Sequence, residues 1–235
     1  SQAVIASGGE GAVTVPGRKL LDICRSLPEK ASLNVALEGE RATIRAGKSR
    51  FTLTTLPAAE FPVVDEINEQ QAVEVAQADL KRLLDKTHFS MAQQDVRYYL
   101  NGMLLESDAK MLRTVATDGH RLALCEMELG LGGRGQQIII PRKGVLELQR
   151  LLSGEGSVKL TIGTNHIRAQ IGDIRFTSKL IDGRFPEYSR VIPAKPPRVV
   201  VADRDALRAS LQRAAILSNE KYRGIRLTLR SGVLT

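Results

Sequence analysis

The chain repeats itself, and the repeat limits its possible folds more than any other feature. The segment Val15-Pro16-Gly17-Arg18-Lys19-Leu20-Leu21-Asp22-Ile23-Cys24-Arg25-Ser26-Leu27 returns 125 positions later as Ile140-Pro141-Arg142-Lys143-Gly144-Val145-Leu146-Glu147-Leu148-Gln149-Arg150-Leu151-Leu152. The same offset carries Arg50-Phe51-Thr52 onto Arg175-Phe176-Thr177, and one residue less carries Phe61-Pro62 onto Phe185-Pro186. A fainter echo links Asp79-Leu80-Lys81-Arg82-Leu83-Leu84 to Asp205-Ala206-Leu207-Arg208-Ala209-Ser210-Leu211, and sets Arg97 opposite Arg223. Recurrent landmarks in one order at one spacing mean that one structural unit is used more than once.

Three units fit the 235 residues. The first, 1–66, lacks its front half. The second, 67–193, holds every landmark, and the third, 194–235, stops within its first half. Three full units would need about 375 residues, so the chain reads as a fragment of a longer protein.

Each unit reads as α+β. Apolar residues at helical spacing (Leu20, Ile23, Cys24, Leu27; Leu80, Leu83, Leu84, Thr87) predict helices over 17–30, 79–88, 141–152 and 203–213. Asp79 and Asp205 are the expected N-caps, because a carboxylate accepts the free N–H groups of a first turn. Alternating segments such as Leu33–Leu37 and Val158–Ile162 predict strands, joined into antiparallel meanders by glycine turns at Gly39 and Gly172. Polar or proline-rich stretches at Glu66–Gln71 and Pro193–Pro197 are the expected linkers.

Charge narrows the partner class. The formal net charge is +8, and the four predicted helices carry 13 Lys or Arg against 7 Asp or Glu. Any one of them could be a plain solvated face. Four basic helices together favour a shared anionic partner, because neutralising phosphates takes many such charges on one surface. The core must be aliphatic, since 43% of residues are hydrophobic while aromatics make up 4% and Trp is absent. No apolar run is long enough to span a bilayer, and Ser1–Val13 lacks the pattern of a signal peptide. Cys24 and Cys125 form no C-x-x-C pair, as expected of reduced cysteines in a cytoplasmic protein.

No catalytic constellation is legible. Gly130-Leu131-Gly132-Gly133-Arg134-Gly135 fits a dinucleotide-loop string, but a strand follows it where the motif needs a helix N-terminus for the pyrophosphate. Gly47-Lys48-Ser49 ends like a phosphate loop, yet Ala42 stands where the first glycine belongs. His88, His120 and His166 have no metal-ligand spacing, and the carboxylates are dispersed. The expectation is a protein that is not an enzyme, with no cofactor and no metal.

Two segments stand apart from this background. Gln93-Gln94-Asp95-Val96-Arg97-Tyr98-Tyr99-Leu100-Asn101-Gly102 holds two of the four tyrosines. These are either anchors for the next strand or platforms for nucleic-acid stacking. Ala116-Thr117-Asp118-Gly119-His120-Arg121-Leu122 has the Asp-Gly of a hairpin turn.

Within and around them, Val96-Arg97-Tyr98-Tyr99-Leu100-Asn101-Gly102-Met103 and Thr114-Val115-Ala116-Thr117-Asp118-Gly119-His120-Arg121-Leu122, with Ile140-Pro141-Arg142-Lys143-Gly144, Asp182-Gly183-Arg184-Phe185-Pro186 and Ala215-Ile216-Leu217-Ser218-Asn219-Glu220-Lys221, resemble the bacterial DNA sliding clamps, the beta subunits of DNA polymerase III. The resemblance covers essentially the whole chain. It implies repeated clamp domains with helices on the inner face and antiparallel sheets outside, and a homodimeric ring when intact. Such a ring would encircle duplex DNA or a primer-template without sequence preference. It implies DNA contacts at Arg18, Gln94, Tyr98 and Tyr99. It also implies a pocket for peptides of the replicative polymerase, the clamp loader and other clamp-binding proteins. The matching pocket positions are Leu100, Thr117, Gly119, His120, Arg121, Leu122, Pro186, Arg190 and Val191. Subunit-interface positions are Arg41, Lys48, Arg50 and Leu53 on one side, and Ile216 and Leu217 on the other. The alternative class is a basic nucleic-acid-binding repeat protein that does not encircle DNA.

Overall fold

The computed structural model describes residues 11–62, 67–130, 135–194, 198–218 and 224–235. They fall into two compact units, Ser1–Phe185 and Pro186–Thr235.

The first unit begins with β1 (Val13–Thr14) and α1 (Gly17–Ser26), followed by the meander β2 (Asn34–Glu38), β3 (Arg41–Ala46) and β4 (Ser49–Thr54), and then β5 (Leu56–Pro57), which pairs with β1. Helix α1 ends earlier than the predicted residue 30. Pro28 pushes Leu27 into an extended conformation (φ −86°, ψ 151°), and the helix stops at Ser26.

The unit continues with β6 (Glu69–Ala76), α2 (Gln77–Asp85), β7 (Gly102–Ser107), β8 (Met111–Thr117), β9 (Leu122–Glu128) and β10 (Gln136–Pro141), then α3 (Arg142–Leu151), β11 (Ser157–Gly163), β12 (His166–Ile171) and β13 (Ile174–Lys179). The strands form two antiparallel sheets, ordered β10-β7-β8-β9 and β13-β12-β11-β6. Leu80, Leu83 and Leu84 of α2 and Val145 and Leu148 of α3 enter one core with Met103, Leu105, Leu112, Val158, Leu160 and Ile162 from the sheets. The two helices adjoin: Lys81 Nζ donates to Gln149 O (3.0 Å), and Gln149 Nε2 donates to Asp85 Oδ1. Thr87 closes the apolar stripe of α2 without leaving a polar orphan, since its hydroxyl bonds Leu83 O (2.7 Å) and Thr114 Oγ1 (3.1 Å).

The repeat survives down to single pairs. Helix α1 maps onto α3, β3 onto β12 and β4 onto β13, each shifted by 125. The pair Asn34↔Arg45 becomes Lys159↔Gln170, and Thr14↔Leu56 becomes the isolated bridge Ile139↔Ile181. Gly47 (φ +56°) and Gly172 (φ +53°) turn the same corner in both copies, a conformation that glycine takes without steric cost.

The second unit holds α4 (Arg204–Ala215) and the hairpin of β14 (Leu229–Arg230) and β15 (Val233–Leu234).

Three further expectations need correction. Asp79 does not cap α2. The cap position is Ala76, the Gln77 amide donates to Gly156 O (2.9 Å), and Asp79 lies inside the first turn. Asp205 does not cap α4 either; Asp203, two residues earlier, accepts the Ala206 amide at 2.8 Å. Finally, Glu69–Gln71 are strand rather than linker. Strand β6 is the edge of its sheet and can be polar while its backbone pairs with β11. Glu66, Pro197, the Arg223 match and much of Gly130–Gly135 lie outside the described residues.

Candidate nucleic-acid and peptide interfaces

Helices α2 and α3 turn Leu80, Leu83, Leu84, Val145 and Leu148 into the core, whereas α1 and α4 bury no residue fully and Cys24, expected on the apolar side of α1, is exposed. On α1, Arg18 and Lys19 are exposed. On α2 and α3 the basic residues are Lys81, Arg82, Arg142, Lys143 and Arg150. Arg82 is offset by Asp79 (3.8 Å) and Arg150 by Glu147 (2.7 Å). Among the described residues Arg18, Lys19, Arg142 and Lys143 make no ion pair, which leaves net positive charge on α1 and α3. Arg142, Lys143 and Leu146 line a cleft with Gln93, Gln94 and Asn101. The fold therefore brings Gln94 beside two basic residues 48 and 49 positions away in sequence.

The loop that carries Gln94 is held by hydrogen bonds. Gln94 has a left-handed backbone (φ +57°), which is uncommon for a residue with a side chain. Just beyond it the Asp95 amide donates to Asn101 Oδ1 and Asn101 Nδ2 donates to Asp95 O, both at 2.9 Å. Arg97 grips the Asp95 carboxylate with Nε (3.0 Å) and Nη2 (2.8 Å). The hydrogen bond from the Arg97 side chain is the main reason that the Asp95 carboxyl is lowered to about 2. Tyr98 and Tyr99 stack edge to face, with centroids 5.8 Å apart. Tyr98 is 57% exposed yet leans on Gly183, whose Cβ, if present, would lie 3.3 Å from the phenol oxygen. Tyr98 thus serves as an anchor and also leaves a ring surface open.

The Asp-Gly turn joins β8 to β9 as the sequence suggested. Asp118 Oδ1 accepts the amides of His120 (2.9 Å) and Arg121 (3.0 Å), and Oδ2 accepts Arg121 Nε (3.0 Å). Burial pushes the Asp118 carboxyl upward, but these two amides and the guanidinium outweigh it and the net shift is downward. Thr117 Oγ1 donates to Arg121 O (2.8 Å) and accepts the Gly119 amide (3.1 Å). Arg121 reaches Phe89, donating to its carbonyl at 2.7 Å, with the guanidinium carbon 5.9 Å from the ring centre. Gly119, His120 and Arg121 are exposed and Leu122 is half-buried, whereas Leu100 is buried.

The remaining positions are scattered. In the second unit, Pro186 and Val191 are exposed, and Arg190 pairs with Glu187 at 2.8 Å. Ile216 and Leu217, just after α4, are 77% and 94% exposed. In the first unit Arg41, Lys48 and Arg50 are exposed along β3, its turn and the edge strand β4, while Leu53 is buried. Sequence reasoning quoted Asp95, Arg97 and Asn101 but gave them no site role. Their signal was the Asp-x-Arg spacing, which lets a carboxylate bind both the amide and the guanidinium two residues on.

Repeated α+β units, each with a basic helical face, define a DNA-clamp type of architecture. Comparison with known proteins gives the same answer. The chain matches the DNA polymerase III beta subunit N-terminal domain over residues 1–65, the central domain over 74–187 and the C-terminal domain over 189–235. It is 56% identical to the beta sliding clamp of Proteus mirabilis over 226 residues, covering 95% of this chain and 62% of that protein. The crystal structure of the DNA polymerase III subunit beta from Pseudomonas aeruginosa superposes with a TM-score of 0.91 at 52% identity, covering 98% of this chain and 64% of that one. A sliding clamp from the same organism bound to griselimycin gives 0.89 at 52% identity, covering 98% and 63%. The chain belongs to the DNA polymerase III beta subunit family. It spans about 62% of the length of the curated relatives it matches.

Proposed function

We propose that the chain is part of a processivity clamp, which holds a replicative polymerase on its template by encircling duplex DNA and catalyses nothing itself. Its domains would be 1–66, 67–193 and 194–235, and its intact form a homodimeric ring. The observation that carries this reading is the uncompensated positive charge on α1 and α3, where Arg18, Lys19, Arg142 and Lys143 make no ion pair among the described residues. Phosphate contact from such a surface needs no base recognition. The DNA-contact set is Arg18, Gln94, Tyr98 and Tyr99. Gln94 gains support from lying in one cleft with Arg142 and Lys143.

The Asp118–Leu122 turn is the proposed docking place for peptides of the polymerase, the clamp loader and other partners, and in the second unit Pro186, Arg190 and Val191 are assigned to peptide binding by the resemblance alone. Griselimycin is bound by a P. aeruginosa relative, and it is proposed to occupy this turn and so to serve as its probe. Arg41, Lys48, Arg50 and Leu53 against Ile216 and Leu217 of a second copy form the proposed subunit contact. No helix among the described residues is long and apolar enough to cross a membrane, and the proposed location is the cytoplasm.

The test is titration with random-sequence duplexes at several salt concentrations. Sequence-indifferent binding of roughly 10⁻⁴–10⁻⁶ M that weakens steeply with salt is expected. Preference for one sequence, or indifference to salt, would refute it. The alternative, a basic repeat protein that does not encircle DNA, predicts equal retention on linear and circular duplexes; a clamp slides off the linear one.

A further inference from the structure

One side chain ties the nucleic-acid loop to the peptide turn. Arg97 holds Asp95 through two side-chain hydrogen bonds, and the Arg97 amide donates to the same carboxylate at 2.8 Å. On its far side Nη2 reaches Asp118 O at 3.4 Å. The backbone of Gly119 packs closely on the guanidinium: a Cβ there would lie 3.1 Å from both Nη1 and Nη2, tighter than ordinary van der Waals contact. Asp95 is fixed in turn by its reciprocal bonds to Asn101. A continuous path of polar contacts thus runs from the residue beside Gln94 to the turn that presents His120 and Arg121.

We propose that Arg97 is a positioning residue that couples the two sites, so that nucleic acid at Gln94–Tyr98 and a ligand at Asp118–Leu122 each tighten the other. The proposal rests on the functional reading above. The physical basis is shared ordering. The left-handed Gln94 and the tight Asp118 turn are each held by a few hydrogen bonds at the surface, and Arg97 belongs to both sets. A ligand that moves either set must carry Arg97 with it, and the second ligand meets that shared residue already placed. Linkage requires the effect to be reciprocal. A bidentate guanidinium suits the task, because its planar fork cannot stay on Asp95 while the turn shifts beneath it.

The experiment titrates griselimycin into the chain with and without saturating random-sequence duplex at low salt, using wild type, Arg97→Ala, Arg97→Lys and Asp95→Asn. In wild type the duplex should raise griselimycin affinity about 5-fold or more. The factor should fall to one in Arg97→Ala and drop in Asp95→Asn, which keeps the cation but loosens its anchor. Arg97→Lys, with charge but no fork, should fall between wild type and Arg97→Ala. A factor of one in wild type with both ligands bound would overturn the proposal, as would an undiminished factor in Arg97→Ala. Absence of binding by either ligand alone would instead sink the functional reading, and the coupling with it.

Discussion

The guanidinium of Arg97 lies against the backbone of Gly119, its nitrogens 3.1 Å from where any other residue would place its Cβ. Gly119 also has φ +87°, so two independent constraints, backbone and packing, select glycine at the tip of the turn. Gly119→Ala should therefore displace Arg97 and cost about 1–2 kcal/mol of stability from the backbone alone. Griselimycin binding should weaken with it. Urea unfolding and a binding titration check both effects.

The same contact predicts a pH response. With its carboxyl lowered to about 2 by Arg97, Asp95 lies below the ordinary value of about 3.9 for aspartate. A depressed folded value means that the stabilisation is fully present above about pH 4 and is lost as pH falls through about 2. NMR titration of the side-chain carboxyl carbons should show Asp95 among the last to protonate. In Arg97→Ala its midpoint should move up; an unmoved midpoint would mean that the ion pair is not the cause.

Gly102 should be intolerant for a different reason. A Cβ there would meet Ile140 O and Ile139 Cγ2 at 2.7 Å, and the backbone oxygen cannot swing aside. Gly102→Ala should cost about 1–3 kcal/mol through overpacking, read as a lowered urea midpoint.

Leu83 is fully buried between α2 and the sheets. Leu83→Ala should cost about 2–5 kcal/mol, the range for a cavity in a packed core. A loss well under that range would mean that the helix does not pack as described.

DNA affinity should respond to charge reversal at Arg18 and Lys143, which are exposed and make no ion pair among the described residues. If each meets one phosphate, the double variant Arg18→Glu, Lys143→Glu should flatten the slope of log affinity against log salt by about 1.8 or more. The loss should be equal for every duplex sequence. A change confined to one sequence would contradict a phosphate-facing surface.

Leu122→Asp would place a carboxylate on the half-buried side of the turn. Griselimycin affinity should fall by about 1–3 kcal/mol, and an unchanged titration would remove Leu122 from the pocket.

The fold was largely legible because its repeat is written in local patterns. Helical spacing at Leu80, Leu83 and Leu84, and alternation at Val158, Leu160 and Ile162, report which side faces the core. The offset of 125 carried not only α1 onto α3 but each strand pair onto its copy. What misled the reading was also local. Asp79 and Asp205 have the right chemistry for caps, but a Gly156 carbonyl and a second aspartate, Asp203, had already met those needs. The polar segment Glu69–Gln71 hid a strand, because an edge strand needs backbone partners more than apolar side chains.

By itself, the sequence determined the repeated α+β unit, the order of its elements, the basic face of its helices and the Asp-Gly turn between β8 and β9. All of these depend on residues within a few positions of one another or on a constant offset. Only the tertiary structure decided that Arg97 lies against Gly119, that Gln94 shares a cleft with Arg142 and Lys143, and that Leu100 and Leu53 are buried. Each of these depends on sheet register and on how closely helix and loop approach. They arise from long-range packing between segments that carry no local record of one another, so spacing along the chain could not reveal them.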